Sequence, residues 1–505
     1  MKKLAKLSTP KKNLIATLLN VGISAVANLL FQPVIAWFLP TGSLTVVSIA
    51  NSLISYLGLI TAPINSSLSR FILSALVKGN RSAANEYAST LIIVAVGFLT
   101  LIASVCIPAS LLVDHLIRVP DSMSGEVRHL FLLVTVAFVL FQVRLLSQIS
   151  FFTSDRLYLT NLTSLGETLI RILVSLSLLH IFGGHIVFLG VGTLIAAAVT
   201  CIYCITRWHK LLPDISIKPK YWEPNRAKEV LSVAVWTILD AMGTMLTYQS
   251  DVFIINRFLP LHESDIYSQA VLLAYLVRLL SGSISSTYGP QYVKLVARED
   301  FGALRHFILG RLRHQSFLVS VPIGVLAGSG ALLYQVWLGP KFVDAIGPMR
   351  CLIIPLFFSL SFVPLSGVWN AMYRNRIPAL VNLAAGLCAI LGVIVAMRMG
   401  WGLIGASIMV SAASFIRPLI FSPVFIGGLT HENPWNYVKV LVAPTIGCIA
   451  LGVVSYGVAQ IVPVHRLWEY VLLMAPIAAV YALVVYKLGL LNIKRLPGNQ
   501  ELSSS

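Results

Sequence analysis

Six ionisable side chains stand inside stretches otherwise apolar enough for a membrane interior: Arg144, Glu167, Arg171, Asp240, Asp251 and Arg278. Two more, Arg350 and Arg417, lie nearer the ends of such stretches, where a long side chain can snorkel to the interface. A charge at mid-membrane costs about 2.5–3.5 kcal/mol on insertion scales, so these residues are expected to face protein or a wet cavity, not lipid. Five of the eight are cationic and three anionic, an excess of two positive charges. Arginine can hold phosphate oxygens through two parallel hydrogen bonds, so this set suits capture of an anionic, phosphate-bearing group. The carboxylates of Glu167, Asp240 and Asp251 are the candidates for coupling to a proton or sodium ion.

Within this set Arg278 stands out. It has no carboxylate within four residues on its own helix, so its partner must lie on another helix or be a ligand. Glu167 and Arg171 are four residues apart, and two readings stay open: mutual neutralisation on one helix, or cavity lining by both. Asp240 and Asp251 are eleven residues apart, about 16 Å along a continuous helix and on one face of it. Asp251 lies in the outer third, within reach of outside water, whereas Asp240 is too deep to reach it. Among uncharged groups, Asn20, Asn28 and Gln249 can hydrogen-bond sugars in a wet cleft, or simply join helices at about 0.6 kcal/mol each. Cys201 and Cys204 form a CxxC on an apolar helix with no second pair or histidine cluster, which reads as packing and not as a metal site.

The elements that carry these residues are membrane spans. Of 505 residues 57% are hydrophobic and 11% charged, where a soluble domain carries roughly a quarter charged. Fourteen apolar runs are long enough to cross a bilayer, near 13–39, 44–66, 88–113, 129–152, 159–182, 186–206, 230–256, 266–288, 315–337, 347–371, 378–398, 401–425, 437–461 and 467–488. With the N-terminus inside, 26 of the 37 Lys and Arg fall in inward segments and six in outward ones. That is the positive-inside pattern, with both termini cytoplasmic. It also accounts for the net charge of +18 without a nucleic-acid partner. The basic start "MKKLAKLSTPKKNL" precedes a hydrophobic run too long for a cleavable signal. No phosphate-binding G-x-x-x-x-G-K-[ST] is present, and the longest outward loop, about 114–128, is too short for an extracytoplasmic catalytic domain. The expectation is a transporter, not an enzyme, with no catalytic residues, no metal and no cofactor beyond a coupling ion.

A shift of 220 residues superposes Phe38-Leu39-Pro40 on Phe258-Leu259-Pro260. It also matches Ile35 to Ile255, Ser48 to Ser268, Leu53 to Leu273, Ile64 to Ile284, Ser66 to Ser286 and Lys78 to Arg298. Six spans precede the repeat point, so both copies enter the membrane in the same direction, as a parallel repeat. Asp240 falls opposite Asn20, and Asp251 opposite Phe31. The expected organisation is an N-terminal six-helix lobe (1–206), a basic cytoplasmic linker (207–228), a second six-helix lobe (229–427), and two additional helices with a tail (428–505). The fold class is therefore all-α polytopic membrane protein, with two pseudo-symmetric lobes around a central cavity.

The run "DVFIINRFLPLHESDIYSQAVLL" at 251–273 resembles the seventh-span hallmark of polysaccharide flippases of the multidrug/oligosaccharidyl-lipid/polysaccharide (MOP) exporter superfamily. "NAMYRNRIPALVNLAAGL" and "WGLIGASIMV" (370–387 and 401–410) resemble the eleventh and twelfth spans of the same group, and the hairpin at 28–60 matches its first hairpin more loosely. Glu263, where members of that group usually carry a Gly-rich turn, departs from the pattern. The resemblance implies a Wzx-type flippase of the bacterial inner membrane. It would move an undecaprenyl-pyrophosphate-linked oligosaccharide, such as an O-antigen repeat unit, to the outer leaflet, with a polysaccharide polymerase and chain-length regulator as partners. A multidrug or metabolite antiporter of the same fold, and a lipid II flippase, are the alternatives. The first span has Asn20, Asn28 and Gln32 but no carboxylate, and the arginine excess suits cationic drugs poorly. In the flippase reading Arg278, Arg144, Arg171 and Arg417 meet the pyrophosphate or sugar, together with Asn20, Asn28 and Gln249.

Overall fold

The computed structural model describes residues 9–55, 57–58, 72, 80–119, 123–154, 156–212, 215, 217–285, 288–372 and 374–490, and the regular elements among them are all helical. The chain divides into two compact units, Met1–Met242 and Gly243–Ser505. The first contains α1 (Thr9–Phe38), α2 (Ser43–Ser55), α3 (Arg81–Leu111), α4 (Ser124–Ser147), α5 (Leu157–Phe182), α6 (Val187–Leu211) and most of α7 (Pro224–Tyr248). The second continues through α8 (Asp251–Phe258), α9 (Leu261–Ser285), α10 (Gly289–Ala297), α11 (Phe301–Trp337), α12 (Ile346–Ser361) and α13 (Val363–Ala371). It ends with α14 (Arg376–Arg398), α15 (Gly402–Phe415), α16 (Ser422–Thr430), α17 (Pro434–Lys439), α18 (Val442–Ile461) and α19 (Leu467–Lys487). Eleven described helical stretches are long and apolar enough to cross a membrane. With the shorter apolar stretches Gly22–Phe38 and Ser43–Ser55, and α7 at the seventh position, they follow the fourteen expected spans. Pro63, Ile64, Ser66, Lys78, Ser286, the chain before Thr9 and the tail beyond 490 lie outside the described residues.

The repeated Phe-Leu-Pro has the same local consequence in each unit. Helices α1 and α8 both end at its phenylalanine. The Leu39 N–H donates to the Ile35 carbonyl (3.1 Å), and the Leu259 N–H donates to Ile255 (2.9 Å). The proline that follows has no N–H and disfavours helical geometry in the residue before it, so each helix stops there.

In the first unit, small residues on α6 let its neighbours approach. A Cβ on Gly192 would collide with Ser175 of α5, and one on Gly190 would sit 3.1 Å from Leu133 of α4. Cys201 and Cys204 are buried on α6 as unpaired thiols. Such small-residue faces allow the close packing that replaces hydrophobic driving force between helices in lipid. The same device recurs in the second unit. A Cβ on Gly386 of α14 would lie 2.6 Å from the Gly243 carbonyl, and one on Gly328 of α11 would collide with Gly452 of α18.

Among the interruptions in the described spans, three stand out. The seventh is not one helix: α7 ends at Tyr248 and α8 begins at Asp251, with Gln249 and Ser250 between them. The tenth breaks at Phe362, two residues before Pro364. The twelfth passes through a π-helical segment, Ile416–Phe421, that contains Pro418. A proline inside a helix removes one i→i−4 hydrogen bond and crowds the preceding turn, and a local π segment accommodates that loss.

Candidate functional site

Polar residues gather into one cluster in each unit. In the first, Asn20, Ser24 and Asn28 recur every four residues on α1, one turn apart on one face. That face meets α5. The Asn20 amide donates to Asn161 (3.4 Å), the Ser24 hydroxyl lies 3.5 Å from Thr168, and Arg171 Nη2 donates to Asn28 Oδ1 at 2.6 Å. Beside this ladder, Arg144 of α4 forms an ion pair with Glu167 of α5, Nη2 to Oε2 at 2.9 Å. Arg144 is 1% exposed and lies over the Phe141 ring at 4.5 Å, while its Nε and Nη1 have no hydrogen-bond partner. Glu167 therefore has a close ionic partner on a neighbouring helix, and Arg171, one turn away on α5, hydrogen-bonds to α1. The same-helix pairing is the lesser contact. Sequence spacing could not reveal this, because it reports only neighbours along one helix.

In the second unit the break in the seventh span builds the site. Asp251 opens α8 and is 3% exposed. Its Oδ2 accepts a hydrogen bond from the Tyr267 hydroxyl at 2.6 Å, and its Oδ1 accepts from the Val252 N–H at 3.0 Å. The first turn of a helix favours a negative charge, which suits a carboxylate at this position. Arg278 of α9 lies with its guanidinium 4.4 Å from the centre of the Tyr248 ring. Among the described residues it makes no ion pair and no hydrogen bond. Asp251 and Arg278 line the same small cavity with Tyr248, Ala274, Ser411 and Ser414. Its volume is about 10 Å³, room for roughly one water. Ser411 and Ser414 of α15 direct their hydroxyls to the Cys351 and Ser411 carbonyls (2.6 and 2.8 Å), so Arg278 is the cation facing this space.

Three readings of the sequence change here. Asp251 does not reach the outer water; α8 is packed on α9 and α14, and the phenol of Tyr267 satisfies the carboxylate within the unit. Asp240 and Asp251 do not share a helical face, because the helix carrying Asp240 ends at Tyr248. Asp240 lies in the first unit, partly buried. Gln249 occupies the break itself, its Oε1 buried without a hydrogen-bond partner. Arg350 does not snorkel: Nε and Nη2 donate to the Ala327 and Gly328 carbonyls of α11, at 2.8 and 3.4 Å. Arg417 sits on the π-helical segment, its guanidinium 5.4 Å from the Trp369 ring centre.

Tyr267 and the break at Gln249–Ser250 are the features that the sequence did not reveal. A tyrosine in an apolar run looks like core, and no Pro or Gly marks the break. Asn382, which donates to Thr244 at 2.8 Å and ties α14 to the end of α7, is likewise inconspicuous.

No protein-family model matches the chain. It is 24% identical over 478 residues, 94% of each chain, to the uncharacterized membrane protein EpsK of Bacillus subtilis (strain 168). Among solved structures it resembles lipid II flippase MurJ in an inward closed conformation, with TM-score 0.67 and 15% identity over 94% of this chain and 98% of that one. It resembles an inward-facing multidrug resistance MATE family transporter of the MOP superfamily with TM-score 0.63 and 11% identity, over 88% and 99% of the two chains. The bent form of the Vibrio cholerae MATE transporter VcmN gives TM-score 0.59 and 12% identity over 88% and 99%. The chain is a multi-pass membrane protein with the fold of MATE transporters and of MurJ.

Proposed function

We propose that the protein is a flippase. It moves an undecaprenyl-pyrophosphate-linked oligosaccharide from the cytoplasmic to the outer leaflet of a bacterial inner membrane, by alternating access coupled to a proton or sodium gradient. The observation that carries this reading is Arg278, a cation in a protein-lined cavity with no carboxylate in ion-pair reach among the described residues. A guanidinium so placed suits a phosphate oxygen, since it can donate two hydrogen bonds to one group. The cavity has room for roughly one water, so in this reading its lining helices must part before a pyrophosphate enters.

In this reading Arg278 binds the pyrophosphate and Asp251 is the coupling carboxylate beside it. Glu167 and Asp240 are the other coupling candidates. Arg417, Asn20, Asn28 and Gln249, with the paired Arg144 and Arg171, contact the sugar and not the pyrophosphate, and a polysaccharide polymerase and chain-length regulator take up the product. The fold shared with MATE transporters supports a second reading, a multidrug or metabolite antiporter.

Deleting the gene and analysing lipid-linked sugars by leaflet separates the two. A complete lipid-linked oligosaccharide accumulating on the cytoplasmic side is the expected result. Unchanged lipid-linked sugars with increased sensitivity to exported compounds would favour the antiporter and overturn the flippase.

A further inference from the structure

The second unit contains another feature, remote from Arg278 and independent of the proposed substrate. Helix α19 runs antiparallel to α11 and is fastened to it by two hydroxyl contacts, Tyr470 to Ser329 at 2.8 Å and Tyr481 to Ser320 at 2.7 Å. Beside these fastenings lie two apolar pockets of about 520 and 310 Å³, which share Leu318 and Val321. Together they extend along α11 from Val325 to His314. Those eleven helical steps span about 16 Å, close to half of a hydrocarbon core roughly 30 Å thick. The groove is thus one leaflet deep.

Its polar end is cationic. Arg311 lies 4.6 Å from the centre of the Phe307 ring and 5.3 Å from that of Tyr288, and its Nη1 is 3.4 Å from His314 Nδ1. No carboxylate of the described residues is within ion-pair reach of Arg311, and its Nε is buried without a hydrogen-bond partner. Nearby, the Tyr292 hydroxyl is also buried without a partner, on a side chain 1% exposed whose ring meets Phe307 at 5.2 Å. Buried donors normally find partners, so the unsatisfied Nε of Arg311 and the unsatisfied Tyr292 hydroxyl near it point to an acceptor that completes them. Arg313 occupies the same end of α11, the end that the basic loops assign to the cytoplasm, whereas Arg305 is paired with Glu432 at 3.4 Å.

We infer that this groove seats an anionic phospholipid of the cytoplasmic leaflet, with an acyl chain in the paired pockets and the phosphate against Arg311. The depth selects this occupant, since an undecaprenyl chain is far longer than the groove. Charge selects the headgroup, because a zwitterionic lipid would place a second cation beside Arg311, Arg313 and His314.

The test is native mass spectrometry of the full chain, delipidated in detergent and then offered phosphatidylglycerol or phosphatidylcholine with the same acyl chains. One phosphatidylglycerol should be retained about tenfold more tightly than phosphatidylcholine, and Arg311→Gln should remove that preference. Ala478→Trp, which fills the groove from α19, should weaken retention of both lipids. Should Arg311→Gln fail to fold, Ala478→Trp and the comparison of the two lipids carry the test. Equal retention of the two lipids, wild-type retention by both variants, or displacement of phosphatidylglycerol by a polyprenyl phosphate would overturn the inference.

Discussion

The polar clusters of the two units use similar residues in opposite ways. In the first, charges are matched to partners: Arg144 to Glu167 at 2.9 Å, and Arg171 to Asn28 at 2.6 Å. In the second, the carboxylate of Asp251 is satisfied by a neutral phenol and a backbone N–H, and Arg278 is left with an aromatic face. A buried ion pair that neutralises itself holds helices together and has little reason to exchange partners. A carboxylate and a guanidinium lining one water-sized cavity without pairing can each respond to something that enters. The lesson is that charge count alone does not locate a site; the state of pairing does.

That contrast can be broken or sharpened by substitution, beginning with the largest effect. Glu167→Ala would leave Arg144 buried and uncompensated, and should cost about 3–5 kcal/mol, read as a fall in melting temperature. Replacing both, Arg144→Met with Glu167→Leu, should recover most of that loss. A Glu167→Ala protein that melts like the wild type would remove the structural assignment of the first cluster.

Next is Tyr267→Phe, which strips a hydrogen bond from a buried carboxylate and should cost about 1–3 kcal/mol. Arg278→Ala should change stability by no more than about 1 kcal/mol, because Arg278 makes no ion pair or hydrogen bond among the described residues, while transport fails. Equal losses of stability for Arg278→Ala and Glu167→Ala would erase the distinction between the clusters.

The smallest effect lies in the segment between α3 and α4. There Arg128 Nε donates to Asp114 Oδ1 at 3.0 Å, and this hydrogen bond holds the Asp114 carboxyl below its ordinary range. A depressed carboxylate contributes stability above its unfolded value and loses it as pH falls through the folded one. The stability difference between wild type and Asp114→Asn should therefore be present at neutral pH and vanish in acid. A difference that persists at low pH would show that the contact does not depend on charge.

Much of the fold was legible because membrane spans announce themselves by length and hydropathy. The buried charges were legible for the same reason, as exceptions within apolar runs. Their partners were not. Arg144 and Glu167 are 23 residues apart on different helices, and helical periodicity carries no information about contacts across helices. Counting along a continuous helix places Asp251 near the rim, whereas the chain breaks at Gln249–Ser250 and buries it against Tyr267. The π-helical segment at Ile416–Phe421 does have a sequence signal in Pro418, and the break at Phe362 has one in Pro364.

In the proposed flippase, Arg278, and not the paired arginines of the first unit, grips the anionic part of the transported lipid. The most direct measurement is flipping of a labelled pyrophosphate-linked oligosaccharide lipid in proteoliposomes, comparing wild type, Arg278→Lys and Arg278→Ala at matched protein levels. Partial activity is expected for lysine, which keeps the charge but loses the two-pronged contact, and loss of activity for alanine in a protein of near-normal melting temperature. Wild-type flipping by Arg278→Ala would contradict that expectation.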